Sequence, residues 1–257
     1  MQRILGIALL FGAAAASLQA AAIAGQFTLV GTVTVTTSGL IEWTSNASST
    51  PDSQATVSSS ATLTGSFAGL GNQNVTINTL TDSSTQQPVN VPFTNFDFID
   101  FPTDPALPHL LANFIPLGSG PGTDCSINPA AAAGGQLCTL SATTTPSIPG
   151  GSPFTFLNTT TSSGGVPVCC TSSATWNISG VTSDGLSNWN GQFTATFVVP
   201  FQQVLDNFVT NQQVSDAYSG VFVVNVIPVT TVPEPTTLGL MGAGVLLLGL
   251  GSWKRKK

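Results

Sequence analysis

Between residues 4 and 253 this chain has no lysine and no arginine. Its five cationic side chains sit at the two ends, as Arg3, Lys254, Arg255, Lys256 and Lys257. That gap governs what the interior can fold into. Residues 25–232 hold ten acids (Glu42, Asp52, Asp82, Asp97, Asp100, Asp104, Asp124, Asp184, Asp206 and Asp216) beside one histidine, His109. No salt bridge between side chains is expected in this stretch, so stability has to come from burial, backbone hydrogen bonds and disulfides. Long exposed helices are disfavoured, because their outer faces normally carry Lys and Glu. Nucleic acid is excluded as a partner, since counterion release needs Lys or Arg facing phosphates. A P-loop, a Schiff-base lysine and an arginine clamp are excluded for the same lack of cations. One histidine leaves little room for a multi-His zinc site or for His-based catalysis.

Local patterning favours strands. Thr32, Thr34 and Thr36 alternate with Val33 and Val35, and Ala61, Leu63, Gly65 and Phe67 alternate with Thr and Ser. Residues 75–80 alternate again. Val89, Val91 and Phe93 share one parity and Phe96 and Phe98 the other, with a bulge or turn expected between them. Ala174, Trp176 and Ile178, then Phe193, Ala195 and Phe197, and lastly residues 221–227, complete the set. Thr, Val and Phe are good strand formers, and Gly, Asn, Ser and Pro clusters punctuate the runs. Phe201, Val204, Leu205, Phe208 and Val209 instead follow helical spacing, which predicts a short helix over 201–212. The expected class is all-β: a sandwich of antiparallel strands, with residues 102–172 as an irregular, disulfide-bearing insertion.

The two ends read as addresses. Arg3, an apolar run over 4–16 and the small-x-small triplets Ala20-Ala21-Ala22 and Ala22-Ile23-Ala24 make residues 1–24 a secretory signal peptide. The Sec machinery and signal peptidase are then partners, and the mature chain begins at Ile23 or Gly25. At the other end, Pro233-Glu234-Pro235 precedes residues 236–253, which carry no charge, and then Lys254-Arg255-Lys256-Lys257. Those 18 residues would span about 27 Å as a helix, close to a hydrocarbon core. The basic tail would hold the C-terminus in the cytoplasm, leaving residues 25–230 outside as the extracytoplasmic body.

Pro233, Glu234 and Pro235, the apolar stretch 238–253 and the basic tail together resemble the PEP-CTERM sorting signal of Gram-negative bacteria. The resemblance covers residues 232–257. It implies recognition by an exosortase, a membrane-embedded cysteine transpeptidase or protease that would cut near the Pro-Glu-Pro. It also implies an inner-membrane anchor through the helix, followed by release to the cell surface or medium, and an association with exopolysaccharide and biofilm. The motif has a physical logic too. Two prolines fix φ and keep the segment extended, the form a protease cleft binds, and Glu234 supplies the one charge nearby.

Four cysteines in an exported chain suggest disulfides. They are Cys125, Cys138, Cys169 and Cys170. Adjacent Cα atoms lie about 3.8 Å apart, under the usual disulfide minimum of about 4.4 Å. Cys125 and Cys138 are therefore expected to pair individually with Cys169 and Cys170, in either order. The rival is a Cys125–Cys138 bond alone. The spacing fits no common zinc site.

Asp97, Asp100 and Asp104 form the densest acid cluster. They are the candidates for calcium, although no EF-hand series is present, and the plain alternative is a turn of solvated acids. No metal and no cofactor is assigned. Asp97 and Asp100 are also the one carboxylate pair worth testing for hydrolysis. His109, between Pro108 and Leu110, reads as loop packing. Trp43, Trp176 and Trp189 would make either an aromatic platform for polysaccharide or part of the core, and the core reading is preferred. Asn46, Asn74, Asn158 and Asn177 begin Asn-x-Ser/Thr triplets, which this composition produces by chance. The expectation is a non-enzymatic, exported surface or matrix protein. A carbohydrate-binding module, or an Asp-dependent hydrolase, is the alternative.

Overall fold

The computed structural model describes residues 21–44, 54–59, 63–81, 86–163 and 166–228. Residues 1–20 of the expected leader, the Pro-Glu-Pro segment, the expected helix over 236–253 and the basic tail lie outside the described residues. No helix among the described residues is long and apolar enough to cross a membrane.

Among the described residues, twelve strands and one α-helix follow in order: β1 (Gly25–Thr36), β2 (Leu40–Thr44), β3 (Gln54–Val57), β4 (Asn74–Ile77), β5 (Leu80–Thr81), β6 (Phe96–Asp100), β7 (Leu110–Phe114), β8 (Leu137–Cys138), β9 (Thr155–Ser163), β10 (Val166–Thr182), β11 (Ser187–Phe197), α1 (Phe201–Asn211) and β12 (Gln213–Val226). Hydrogen-bonded neighbours run β11-β12-β1-β3-β4-β6-β7-β10, and β10 pairs back onto β11. Eight antiparallel strands thus close into a barrel, correcting the expected sandwich. The reason is visible in β11. Its residues alternate buried and outward without a break, Ser187, Trp189, Gly191, Phe193, Ala195 and Phe197 facing in. A one-faced alternation serves a sandwich strand and a barrel strand equally, and pairing on both edges decides between them. The outward positions of β11 are Asn188, Asn190, Gln192, Thr194 and Thr196. That is the reverse of the apolar-out pattern of a membrane-spanning barrel.

Long strands change partners along their length. β1 pairs with β3 at Leu29 and Val30, then with β2 from Thr32 to Val35. β10 pairs with β9 along its first half and with β7 from Ser179 to Thr182. Strand β7 is therefore part of the ring, and the irregular region begins after it rather than at residue 102. Two other expectations change. Gly65–Phe67 is a single 3-10 turn instead of a strand. Residues 89–93 contribute only a bridge from Val89 to Ile115, because Pro88 and Pro92 interrupt any ladder.

The barrel is filled by rings. Trp176 stacks on Phe193 at 5.2 Å and Phe27 on Phe222 at 4.8 Å, while Trp43 lies 4.7 Å from Phe193 and 6.0 Å from Trp176. Two glycines make room for them. A Cβ at Gly191 would come within 2.6 Å of the Phe222 ring, and one at Gly220 within 2.8 Å of the Phe193 ring. The two positions lie beside each other's partner across the β11–β12 ladder, Gly191 opposite Phe222 and Phe193 opposite Gly220. Each ring therefore lies over the bare backbone of the neighbouring strand.

Helix α1 matches the expected span and packs its Phe201, Val204 and Leu205 inward. Its first turn is fastened by a buried polar set. Asn158 on β9 accepts from the Phe201 N–H at 2.9 Å and donates to Gln202 Oε1 at 2.8 Å. Gln202 in turn donates to Gln136 Oε1 at 2.7 Å. Asn158 thereby satisfies a donor that the helix itself leaves open.

Candidate functional site

Two places bring chemistry-bearing residues together. The first is an exposed clamp at the start of the β6–β7 hairpin. His109 Nδ1 lies 3.0 Å from Asp97 Oδ2, and its Nε2 lies 3.1 Å from Asp100 Oδ1. Strand geometry explains the convergence. Asp97 and Asp100 stand on β6, and the chain returns through 101–109 to place His109 immediately before β7. A register irregularity between Asp97 and Ile99 opens the ladder there. Carboxylates only accept hydrogen bonds, so a ring carrying hydrogen on both nitrogens satisfies both contacts at once. The His109 backbone ties the clamp to the β10–β11 turn, accepting from Ser183 N–H at 2.9 Å and donating to Ser183 Oγ at 3.1 Å. All three side chains are more than a third exposed, so each contact is worth about 1 kcal/mol or less. The expectation that the body holds no salt bridge counted only Lys and Arg as cations; these two contacts are ion pairs only while the His109 ring is protonated.

The second place is a cavity of about 240 Å³ at the end of the barrel that α1 covers. Ile41, Leu140, Phe154, Trp176, Ala195 and Leu205 are among its walls. The exposed turn at Thr37 and Ser38, together with Asp216, supplies polar edges. Trp176 is 1% exposed, and its indole N–H has no hydrogen-bond partner. Nearby, the Trp43 indole and the Tyr218 hydroxyl are likewise buried and unpartnered. Burial pushes the Tyr218 hydroxyl well above the ordinary tyrosine range. No reading of single residues pointed to this cavity. Its one trace in the sequence is the apolar stripe of the helix, in which Phe208 is only half-buried.

The sequence candidates fall as follows. Asp97 and Asp100 are engaged by His109, which is thus more than loop packing. Asp104 does not join them, and among the described residues no group of three His, Cys, Asp or Glu could hold a metal ion. Trp43, Trp176 and Trp189 are all 3% exposed or less, so they form core and not a surface platform. The Trp189 indole donates to Leu111 and Val181 carbonyls at 3.1 and 3.2 Å.

The cysteines pair locally, Cys125 with Cys138 and Cys169 with Cys170, and the expected cross-pairing is corrected. The register explains why it fails. Cys138 on β8 stands opposite Phe156, which stands opposite Ala174 on β10. Cys170 is four residues further along β10, so it lies roughly 13 Å along and 10 Å across from Cys138. A disulfide needs Cα atoms within about 7 Å, and Cys125 and Cys138 are 5.0 Å apart. The neighbouring pair sits where the β9–β10 ladder is broken, between Val168 and Thr171.

Residues 231–256 match the PEP-CTERM protein-sorting motif. The match supports an exosortase-sorted surface protein, with an exosortase as the processing partner. It covers 26 of the 257 residues and does not reach the barrel. No curated protein and no solved structure matches the chain.

Proposed function

We propose that this protein is an exported, non-enzymatic surface protein, a closed β-barrel delivered by a cleaved leader and processed at its tail by an exosortase. The sorting motif over residues 231–256 carries this reading. Export through Sec accounts for the leader. Two features of the barrel are in keeping with life outside the cytosol. All four cysteines are disulfide-bonded, which an oxidising compartment permits and the cytosol opposes. The outward positions of β11 carry Asn, Gln and Thr and no charge. The motif follows the barrel closely in sequence, with β12 ending at Val226 and the match starting at residue 231. The apolar helix over 236–253 would hold the chain in the inner membrane until the cut, and Lys254 to Lys257 would keep its end inside.

Leader removal after Ala22 fits the barrel better than removal after Ala24. Ile23 is buried, and its carbonyl accepts a hydrogen bond from Ser187. Residence in an exopolysaccharide matrix is the finer part of the proposal, and the family resemblance supports it. The test replaces Glu234 and its two prolines with alanine in a host carrying the exosortase. The variant should stay in the inner-membrane fraction at full tail mass, while the parent chain reaches the surface shortened. Identical fractionation and mass for both chains would defeat the proposal. Matrix residence is checked separately, by recovery of the parent chain from a strain that makes no exopolysaccharide. Unchanged retention there would remove that part alone.

A further inference from the structure

We infer that the α1 end of the barrel is built to hold a small, uncharged hydrocarbon, bound by packing alone with no hydrogen bond to the protein. The strand register creates the space. Along the β10–β11 ladder Trp176 stands opposite Phe193, and the next inward pair is Ala174 opposite Ala195. Trp176 and Phe193 stack at 5.2 Å and fill their level of the barrel. The two alanines are buried, and both border the cavity. Phe197, the next inward residue of β11, borders it as well. A pair of the smallest side chains thus lies between large rings. An eight-stranded barrel is just wide enough for such a gap to take one small ligand. An apolar cavity of about 150 Å³ takes benzene, so 240 Å³ takes roughly ten non-hydrogen atoms, the size of two fused rings.

The chemistry of the walls selects the ligand class. Ile41, Leu140, Phe154 and Leu205 join the alanines in the lining. Their side chains offer no hydrogen bond, so a polar group entering there would give up its water without replacement. A sugar would leave most of its hydroxyls in that position. Ser152, the buried polar residue of the lining, already accepts from the Phe154 N–H at 3.2 Å through its hydroxyl. Charge is excluded separately. No Lys, Arg or His borders the cavity, and Asp216 does. An anion would meet no counter-charge and one like charge. A cation would exchange its hydration for a single carboxylate that is itself partly in water. Preformed, mostly apolar pockets set in the mouth of a β-barrel are where small ligands bind. Phe208 of α1 is a half-buried part of the wall, so it can be cut back without disturbing the core.

The test uses the full chain held in lipid nanodiscs, with isotope-labelled isoleucine methyl groups and naphthalene as probe. Ile41 and Ile148 border the cavity, whereas Ile77 and Ile99, paired across β4 and β6, do not. Each resonance is assigned by its loss in the corresponding Ile→Val variant. Affinities are referred to the free aqueous concentration of each probe, so that partition into the lipid cancels. Ring currents of bound naphthalene should move Ile41 and Ile148 saturably and leave Ile77 and Ile99 in place. Naphthoate and naphthylmethylammonium, the same rings with a negative or a positive charge, should bind at least about tenfold more weakly. Filling the space with Ala195→Leu should abolish the naphthalene shift while Ile99 reports an intact barrel. Should that variant not fold, Phe208→Ala serves instead: loss of one aromatic wall should weaken naphthalene about fivefold. Unmoved Ile41 and Ile148 resonances at saturating naphthalene would overturn the inference. So would equal shifts at all four isoleucines, a charged probe binding as tightly as naphthalene, or unchanged affinity in the folded variant.

Discussion

Ser187 Oγ donates a 2.7 Å hydrogen bond to the carbonyl of Ile23, across 164 positions of sequence. Both residues are buried, Ser187 completely. The contact fastens the segment just before β1 to the start of β11, and it discriminates between the two leader cut sites. A chain starting at Ile23 keeps the bond and the buried side chain, whereas one starting at Gly25 loses both. Burial of an Ile is worth about 2 kcal/mol and a buried hydrogen bond about 1 kcal/mol. We expect the Gly25 chain to be less stable by roughly 3 kcal/mol in urea unfolding, and Ser187→Ala to cost about 1–2 kcal/mol. Equal unfolding midpoints for the Ile23 and Gly25 chains would contradict this packing.

Tyr218 is the only tyrosine in the chain, so its ionisation can be followed without overlap. Its hydroxyl is buried against Trp43 and Phe193, with no partner to receive or offer a hydrogen bond. Burial raises its pKa above the unfolded value, so the folded state holds the proton longer than the unfolded state does. The sign of the linkage follows. The Tyr218 contribution is fully present below the unfolded value near 10, and stability falls as pH rises above it. Tyrosinate absorbance should therefore appear together with unfolding. Tyr218→Phe should flatten the alkaline decline and leave neutral-pH stability unchanged or slightly higher, because an unpaired buried hydroxyl is removed. Tyrosinate forming in a chain that remains folded near pH 10 would contradict this account of Tyr218.

The Cys125–Cys138 bond closes a short loop against the edge strand β8. In the chain-entropy model a loop of this size is worth about 3 kcal/mol. Cys125→Ser with Cys138→Ser should cost that much, and non-reducing peptide mapping should recover the 125 and 138 peptides linked to each other. A linked peptide joining residue 138 to the 169–170 segment would break the β8–β9–β10 register described above.

The clamp on His109 should be modest in energy. His109→Ala leaves Asp97 and Asp100 without their shared partner, yet all three groups are partly solvated. The expected loss is about 1 kcal/mol, shrinking as salt is added. A loss several times larger and indifferent to salt would mean that the 101–109 loop carries more of the fold than its contacts suggest.

Much of this was legible in the chain. The alternation of Trp189, Phe193 and Ala195 with Asn and Thr marks β11 without any coordinates, and the spacing of Phe201, Val204 and Leu205 marks α1 nearly to the residue. Closure was not legible. It depends on β10 offering one edge to β9 and β7 and the other to β11, and pairing between distant strands leaves no trace in a one-residue alternation. Asn158 looked like a chance triplet and proved to be 1% exposed, bonded to the first turn of α1. Its partners Phe201 and Gln202 are more than 40 positions away. The cavity was hidden for the same reason, since its walls come from seven separate segments. The tail was the opposite case. Pro233, Glu234 and Pro235, the apolar run and four cations are contiguous, so sequence alone sufficed to find the sorting motif.

In the proposed sorting scheme both ends of this chain are addresses that are removed on delivery. Intact-mass measurement of the chain recovered from the surface of cells that carry the exosortase tests it most directly. The mass should correspond to a chain that begins at Ile23 and lacks Lys254 to Lys257, with both disulfides formed. A surface chain that retains Met1 through Lys257 would contradict the account.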